Sequence, residues 1–224
     1  MTSQSTSRSN NAVDIPVDDP LFASYASLAR SFLNAVDSGD SKTVRIILSC
    51  SGISKYPNFI NYPISKYEKT SPLHTAVNHG SLEVCQLLIQ GGADVNGSVS
   101  RLETPLHCAV FSSNLFLIKL LCDAGADVNL NNCQGLTPLH HACRKNDKPV
   151  ISLLIGCGAD VNVKDTRKQP PLHYTADGHG DDIDIMRMLK SAGAEVNMLD
   201  AAGRSPLHVA TTHGYRGMTQ YLIE

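Results

Sequence analysis

A three-residue motif, Pro-Leu-His, returns at nearly constant intervals along most of this chain, and it constrains the fold more than any other feature. The motif histidines are separated by 33, 33, 33 and 35 residues, and they are His74, His107, His140, His173 and His208. A fixed period of this length is the signature of stacked structural repeats rather than of one globular unit. The chain is therefore expected to form an elongated solenoid.

A second motif, Gly-Ala-Asp-Val-Asn, keeps step with the first one. It begins at Gly92, Gly125 and Gly158, and a variant with glutamate in place of aspartate begins at Gly193. Each of these glycines precedes the next motif histidine by 15 residues, so the two extra residues of the longest interval fall elsewhere, within 177–182. Two motifs that stay in register over four periods define one repeating unit.

Each unit carries the signals of two short helices joined by a turn. The motif proline suits the first turn of a helix, and serine or threonine precedes it as an N-cap in most copies. Pro170 stands at that position in the fourth copy and is expected to weaken its cap. Gly80, Asn146 and Gly214 lie six residues after the histidine, where a turn favours residues that tolerate positive φ. Apolar residues then recur at helical spacing, which predicts a second helix.

Thr-Pro-Leu-His, a helix-turn-helix pattern and Gly-Ala-Asp-Val-Asn together resemble the ankyrin repeat over roughly residues 28–224. The resemblance implies an all-α repeat solenoid, in which helix pairs stack side by side and β-hairpin fingers project at right angles to them. It also implies that the motif histidines hydrogen-bond between neighbouring repeats. Members of this family bind their partners on the concave side of the array.

The repeat register divides the chain into a tail and an ankyrin-repeat domain. Residues 1–20 are rich in serine, threonine, asparagine and aspartate, which predicts a disordered N-terminal tail. The domain spans 21–224, with a divergent capping repeat, four full repeats and an incomplete last repeat. The predicted bounds of these six repeats are 21–67, 68–100, 101–133, 134–166, 167–201 and 202–224.

The link between the capping repeat and the first full repeat is longer than the others, and it is aromatic. Its segment 59–61 (Phe-Ile-Asn) can replace Asp-Val-Asn in register, and Tyr56, Tyr62 and Tyr67 lie around it. Because aromatic rings are frequent anchors at protein interfaces, this finger is a candidate binding element. The alternative is that the rings seal the side of the N-terminal cap, and the sequence leaves both interpretations open.

At the other end, the chain stops two residues before the glycine that would close the last repeat. The outward face of Met218, Tyr221 and Leu222 is therefore expected to lack a following repeat. We expect that the chain is cut from a longer protein. The alternative is that these three side chains meet a partner.

Composition and charge exclude several classes of function. A net charge of −2 gives no whole-molecule attraction to nucleic acid, which argues against it as a partner. The chain has no run of 18 apolar residues, so no membrane span is expected. Its seven cysteines form no Cys-x-x-Cys pair, which favours reduced thiols in a cytoplasmic and/or nuclear protein over disulfides or a zinc site.

The motif histidines are not expected to form a catalytic or metal site. One residue type at one position per repeat does not converge on a point, as the unlike groups of an active site must. His140, His141 and Cys143 come nearest to a ligand set, but two of them follow from the repeat motif. No phosphate loop, nucleophile elbow or paired-acid motif is present. We predict that the chain is not an enzyme and uses no cofactor, metal ion or small-molecule substrate.

Binding specificity is expected where residues depart from the repeat consensus, at the finger tips and at the ends of the inner helices. Phe111 places a large ring where solvent is expected, which predicts an anchor for a partner. The basic residues of the central repeats favour an acidic segment with an apolar residue as the ligand, although an ordinary solvated face is the alternative. The other candidates are Arg101, Gln134, Arg144, Lys145, Arg167 and Lys168.

The leading hypothesis is a protein-interaction module that binds a partner protein or peptide through the concave groove and the fingers. One alternative is the substrate-recognition arm of a ubiquitin-ligase adaptor, whose ligase-binding box lies beyond this chain. Another is the targeting or regulatory domain of a larger enzyme. A helical ligase-binding segment or a catalytic motif after residue 224 would distinguish these alternatives.

Overall fold

The structure, a computed structural model, describes residues 20–50, 59–61, 70–99, 101–177 and 181–224. These residues form six helix pairs in the repeating arrangement that the sequence predicts, and a short 3₁₀ helix, Phe59–Asn61, lies between the first two pairs. The pairs are α1 (Pro20–Ser38) and α2 (Ser41–Ser49), α3 (Pro72–Asn78) and α4 (Leu82–Gln90), α5 (Pro105–Phe111) and α6 (Leu115–Asp123), α7 (Pro138–Lys145) and α8 (Lys148–Gly156), α9 (Pro171–Ala176) and α10 (Ile183–Ser191), and α11 (Pro206–His213) and α12 (Arg216–Ile223).

The helices stack in two layers. The first helix of each pair packs on the first helix of the next pair, which gives an inner layer from α1 through α11, and the second helices pack likewise into an outer layer from α2 through α12. The apolar residues that recur at helical spacing lie between the layers, as Leu88, Leu121, Leu154 and Leu189 do on successive outer helices. The all-α repeat solenoid predicted from the sequence is confirmed.

The motif histidines fasten each repeat to the next one. The hydroxyl and the backbone N–H of Thr104 lie 2.9 and 3.2 Å from Nδ1 of His107, so that nitrogen accepts and Nε2 carries the proton. Nε2–H then donates to the carbonyl of Leu136 in the following repeat, at 3.0 Å. The equivalent Nε2 contacts of three other motif histidines join His74 to Glu103, His140 to Gln169 and His173 to Arg204.

The asparagine of Gly-Ala-Asp-Val-Asn forms a second link between repeats. Oδ1 of Asn129 accepts from the backbone N–H of Asp160 at 2.8 Å, and its Nδ2 donates to the carbonyl of Gly158 at 3.3 Å. Oδ1 of Asn61 accepts from the N–H of Asp94 in the same way, at 2.9 Å. Asn61 therefore occupies the motif position that the sequence register assigns to it.

The fingers between successive repeats are hydrogen-bonded turns. In the part of the chain that the structure describes, each finger closes with a backbone bond such as Asn132 N–H to the carbonyl of Leu136, at 2.9 Å, and no segment is a β-strand. Neighbouring fingers are joined tip to tip, because the N–H of Cys133 donates to the carbonyl of Arg101. These bonds are too few on each finger to build the ladder of a β-hairpin.

At the N-terminal end, the segment 59–61 packs against the first helix. The ring of Phe59 is 2% exposed and lies 4.9 Å from the ring of Phe32 on α1. Phe59 thus packs inside the N-terminal cap, and the two interpretations of the tyrosines stay predictions. Tyr56, Tyr62 and Tyr67 lie outside the described residues, as do residues 1–19 of the predicted tail.

The prediction that the last helix, α12, turns an apolar face outward is wrong. Met218 is fully buried, because α12 packs on α11 and α10 with the apolar stripe that the preceding outer helices also turn inward. The ring of Tyr221 lies under the ammonium of Lys190 at 4.9 Å, and so faces the preceding repeat. Ile223, which the sequence analysis did not single out, is the exposed apolar residue of this helix.

Candidate functional site

The candidate binding residues lie on the inner helices and on the fingers, in two rows. Phe111, Arg144 and Lys145 stand at the C-terminal ends of α5 and α7. Arg101, Gln134, Arg167 and Lys168 stand on successive fingers, beyond the N-terminal ends of the same layer. An inner helix of about seven residues rises about 1.5 Å per residue, so roughly 10 Å separates the rows. We refer to the face between them as the groove.

Phe111 and His141 form the apolar centre of the groove. The Phe111 ring is 39% exposed and meets the buried His141 ring edge-on, with their centroids 4.5 Å apart. The same imidazole contacts the ring of His107 at 5.8 Å. Burial, together with the nearby cationic groups, lowers the pKa of His141 to about 3, so this ring is neutral at physiological pH. Phe111 thus presents one edge to solvent on a rigid aromatic support.

Arg144 contacts the imidazole of this pair. Its Nη2 is 3.3 Å from Nδ1 of His141, one turn earlier on α7, and the side chain is exposed. The structure describes no carboxylate in an ion pair with Arg144. Its charge is therefore available to a ligand that approaches Phe111.

Lys145 has a structural role that the sequence did not indicate. Its Nζ donates to the carbonyl of Phe111 at 2.9 Å and to the hydroxyl of Ser113 at 2.7 Å. The last carbonyls of a helix have no partner within the helix, and a cation placed there is favourable. Lys145 therefore closes the end of α5 and holds the backbone of Phe111 in place.

Arg167 is held by its own finger and by an inner helix. Its Nη2 donates to the hydroxyl of Tyr174 at 2.7 Å, and that hydroxyl donates to Oδ2 of Asp165 at 2.6 Å. The guanidinium also lies 5.6 Å from the centre of the Tyr174 ring. Burial raises the pKa of Tyr174 to about 12, so the phenol keeps its proton. Arg167 offers an exposed but positioned cation at the finger side of the groove.

The finger tips are aligned by backbone bonds. The carbonyls of Arg101, Gln134 and Arg167 each accept from the following finger, at 2.9, 3.1 and 2.8 Å. Their side chains are exposed, as is that of Lys168, whose φ of 59° is unusual for a residue other than glycine. These four residues line one edge of the groove, as the sequence analysis expects of finger-tip positions.

The sequence pattern does not identify three residues as candidates for partner binding: two exposed apolar side chains and one buried imidazole. Phe116 on the outer helix α6 is 78% exposed, and Leu102 on the first described finger is 52% exposed. A helical projection finds Phe116, since it shares a face with Lys119 rather than with the buried Leu117. The sequence pattern marks His141 only as a candidate metal ligand. Its position under Phe111 and Arg144 depends on the stacking of α5 on α7.

The histidine-rich segment of α7 does not converge on a metal. His140 uses its two ring nitrogens within the repeat links, with Thr137 and Gln169. His141 turns to the groove, and burial raises the pKa of the fully buried Cys143 thiol far above its usual range. Among the described residues, no group of three or more His, Cys, Asp or Glu side chains is arranged to hold a metal ion.

The sequence profile described as "Ankyrin repeats (3 copies)" matches residues 32–132, 100–165, 118–200 and 139–224, which together cover most of the chain. The chain belongs to the ankyrin-repeat family. A search of curated proteins finds no significant match. Within the described ranges, none of the helices has both the length and the hydropathy needed to cross a membrane. Ankyrin repeats are in general protein-binding modules, and the family comparison identifies only ankyrin repeats in the matched residues.

Proposed function

We propose that this chain is a protein-interaction module that binds a partner protein through the groove, with Phe111 and Arg144 at its centre. The observation that carries the proposal is the exposed ring of Phe111 on the same imidazole that the guanidinium of Arg144 contacts, where Arg144 has no ion pair with a carboxylate of the described residues. Aromatic and arginine side chains of this kind supply much of the binding energy in protein interfaces.

The charges around Phe111 favour an acidic ligand. Arg144, Arg167 and Lys168 present exposed cations on the groove; Arg167 pairs with the buried Asp165 at 3.4 Å, and Asp177 is an exposed acid at the end of α9. Although the chain as a whole carries a net charge of −2, this face is locally basic. Complementary charge steers a partner and fixes its register. We infer an acidic segment that carries an apolar residue for Phe111.

A comparison of two double variants tests this function. The first changes the groove, with Phe111→Ala and Arg144→Glu. The second is its matched control on the outer helix α6, with Phe116→Ala and Lys119→Glu, which also removes one exposed ring and one cation. Both variants are first compared with the parent chain by circular dichroism, so that a loss of folding is recognised.

Proteins captured from a cell lysate are then quantified for the parent and for both variants. We expect that a set of partners is retained by the parent and the outer-helix variant but lost from the groove variant. If those partners are lost only from the outer-helix variant, the binding face is the outer layer and the groove proposal fails. A cytoplasmic and/or nuclear lysate suits the test, because all seven cysteines are free thiols.

A further inference from the structure

The hydrogen-bond partners of His141 are not compatible with one another. Nε2 of His141 lies 3.4 Å from Nδ2 of Asn132, and Nδ1 lies 3.3 Å from Nη2 of Arg144. An amide NH₂ group and a guanidinium can only donate, whereas a neutral imidazole has one accepting nitrogen and one N–H. Whichever ring nitrogen carries the proton, one of the two contacts therefore brings two N–H donors together.

The orientation of Asn132 is fixed by the finger. Its Oδ1 accepts from the backbone N–H groups of Gln134 and Leu136, at 2.9 and 3.1 Å. A flip of the amide would turn NH₂ toward these two donors, so Nδ2 must face His141. Asn132 is 5% exposed and its amide is shielded from water.

The two donor conflicts differ in their consequences. If Nε2 carried the proton, the buried Nδ2–H of Asn132 would lack an acceptor, and a buried unsatisfied donor is strongly unfavourable. If Nδ1 carries the proton, the conflict falls on Arg144, which is exposed and can turn into water. The second tautomer is therefore favoured. In this tautomer, the Nδ1–H group of His141, whose side chain is 4% exposed, points to the groove beside the guanidinium of Arg144.

We propose that Nδ1–H of His141 and the guanidinium of Arg144 together form a receptor for one carboxylate of the partner, an aspartate or glutamate side chain. One carboxylate oxygen accepts from Nδ1–H and the other accepts from Arg144, which removes the conflict between the two donors. Phe111, in contact with the same imidazole, holds the apolar residue next to that carboxylate in the partner. This inference deepens the proposed function and rests on it.

Two features of the surroundings support a carboxylate. Charge-assisted hydrogen bonds from both donors are stronger than neutral ones, and arginine suits the two-oxygen geometry. The desolvation that lowers the pKa of His141 keeps the imidazole neutral, so the site offers a hydrogen bond from the ring and one charge from Arg144. A neutral amide offers these two donors one oxygen and no charge, and its NH₂ group can only donate.

The tautomer can be measured on the free protein. A long-range proton–nitrogen correlation spectrum of the imidazole rings distinguishes an Nδ1–H ring from an Nε2–H ring. We expect His141 to be protonated on Nδ1, whereas His107 and His140 serve as internal references protonated on Nε2. An Nε2–H ring at His141 would overturn the proposal, because the groove would then offer no imidazole donor.

Binding is tested with two capped dipeptides, acetyl-Leu-Glu-amide and acetyl-Leu-Gln-amide, which differ only in the carboxylate. We expect the glutamate probe to shift the His141 ring signals and to bind at least about tenfold more tightly than the glutamine probe. Arg144→Gln should abolish that preference. Lys164→Gln removes the same charge at another exposed position and should leave it unchanged. Equal binding of both probes, or an unchanged preference in Arg144→Gln, would contradict the receptor.

These results separate the receptor from the proposed function. If captured partners are lost from the Phe111→Ala, Arg144→Glu variant but neither probe shifts His141, the groove binds protein without this receptor. If the glutamate probe binds as expected but the groove variant still captures all partners, the receptor exists and the proposed function fails. A partner identified by capture should in turn lose at least about tenfold in affinity when its acidic residue is replaced by the corresponding amide.

Discussion

Pro170 leaves the Nδ1 nitrogen of His173 without a hydrogen-bond donor. In the other copies, a serine or threonine supplies a hydroxyl for this nitrogen, as Thr137 does for His140 at 2.8 Å. Proline has neither a hydroxyl nor an N–H, and among the described residues Nδ1 of His173 is the only buried side-chain nitrogen or oxygen that lacks a partner. The link from Nε2 of His173 to the carbonyl of Arg204 persists, at 3.0 Å.

Pro170→Thr should therefore stabilise the array. The φ of −76° at Pro170 suits threonine, which would supply both missing donors, and the gain should outweigh the lost rigidity of proline by about 1 kcal/mol. The reciprocal change, Thr137→Pro, should lower the free energy of unfolding by about 1–2 kcal/mol. Urea unfolding of both variants measures these effects. A destabilised Pro170→Thr would show that the orphaned nitrogen carries no energetic penalty.

Acid should destabilise the protein below about pH 6.5. Burial lowers the pKa of His74 and of His140 to about 4, and these groups regain ordinary pKa values near 6.5 when the chain unfolds. The unfolded state thus binds more protons in this window, so stability is complete above about pH 6.5 and falls as the pH approaches 4. Each histidine should contribute about 3 kcal/mol to this loss.

Urea unfolding between pH 7.5 and 4 tests the histidine effect. The slope of the unfolding free energy against pH counts the protons taken up, so His140→Gln should reduce that slope by about one proton even if it also lowers stability. The amide of glutamine retains a donor for the carbonyl of Gln169. A slope near zero between pH 6 and 5 would mean that these rings titrate normally in the folded protein.

Asn61→Ala should cost about as much stability as Asn96→Ala, roughly 1 kcal/mol. Both amides accept from a backbone N–H of the following repeat, from Asp94 at 2.9 Å and from Asp127 at 2.8 Å. Asn131 is exposed and makes no side-chain hydrogen bond in the described ranges, so Asn131→Ala is the matched control. Thermal unfolding compares the three variants. If Asn61→Ala behaves like Asn131→Ala, the link from 59–61 to the first full repeat is not energetically significant.

Lys168→Gly and Gly135→Lys should have opposite effects. Both positions take a left-handed conformation on successive fingers, with φ of 59° and 76°. Glycine at 168 should relieve strain and stabilise by about 0.5–1 kcal/mol. Lysine at 135 should destabilise by more, because a Cβ atom there would lie 2.8 Å from the backbone nitrogen of Thr166. Thermal unfolding of the two single variants measures both changes, and a destabilised Lys168→Gly would contradict the strain argument.

The repeat motifs predicted the fold because each carries a local physical reason that recurs. Asn146 adopts the left-handed turn that its position required, with φ of 60°, and Asn61 makes the bond that its register implied. The sequence predicts the wrong face for Met218. The number of residues that the last repeat lacks does not indicate which side of its helix packs against the core. That side follows from packing on α11.

Much of the candidate site could not be predicted, because it depends on contacts between repeats. The sequence singled out Phe111 and Arg144, but not the imidazole between them, since His141 reaches Phe111 only through the stacking of two inner helices. Lys145 is a basic residue in a basic stretch, and only its reach to the carbonyl of Phe111 shows that it serves the backbone. A repeat pattern does not predict the rotamers of long side chains.

The backbone bonds from the N–H of Cys133 to the carbonyl of Arg101 and from the N–H of Thr166 to the carbonyl of Gln134 add one finger-to-finger link to each junction, beside the histidine and asparagine links. A pull on the two ends of such an array is carried by the junctions between repeats in series, and each junction yields by a small fraction of the total extension. The array should thus behave as a soft spring, whose curvature adapts to the shape of a bound protein. The site at Phe111 and Arg144 spans one junction. Its geometry therefore changes little when the whole array bends.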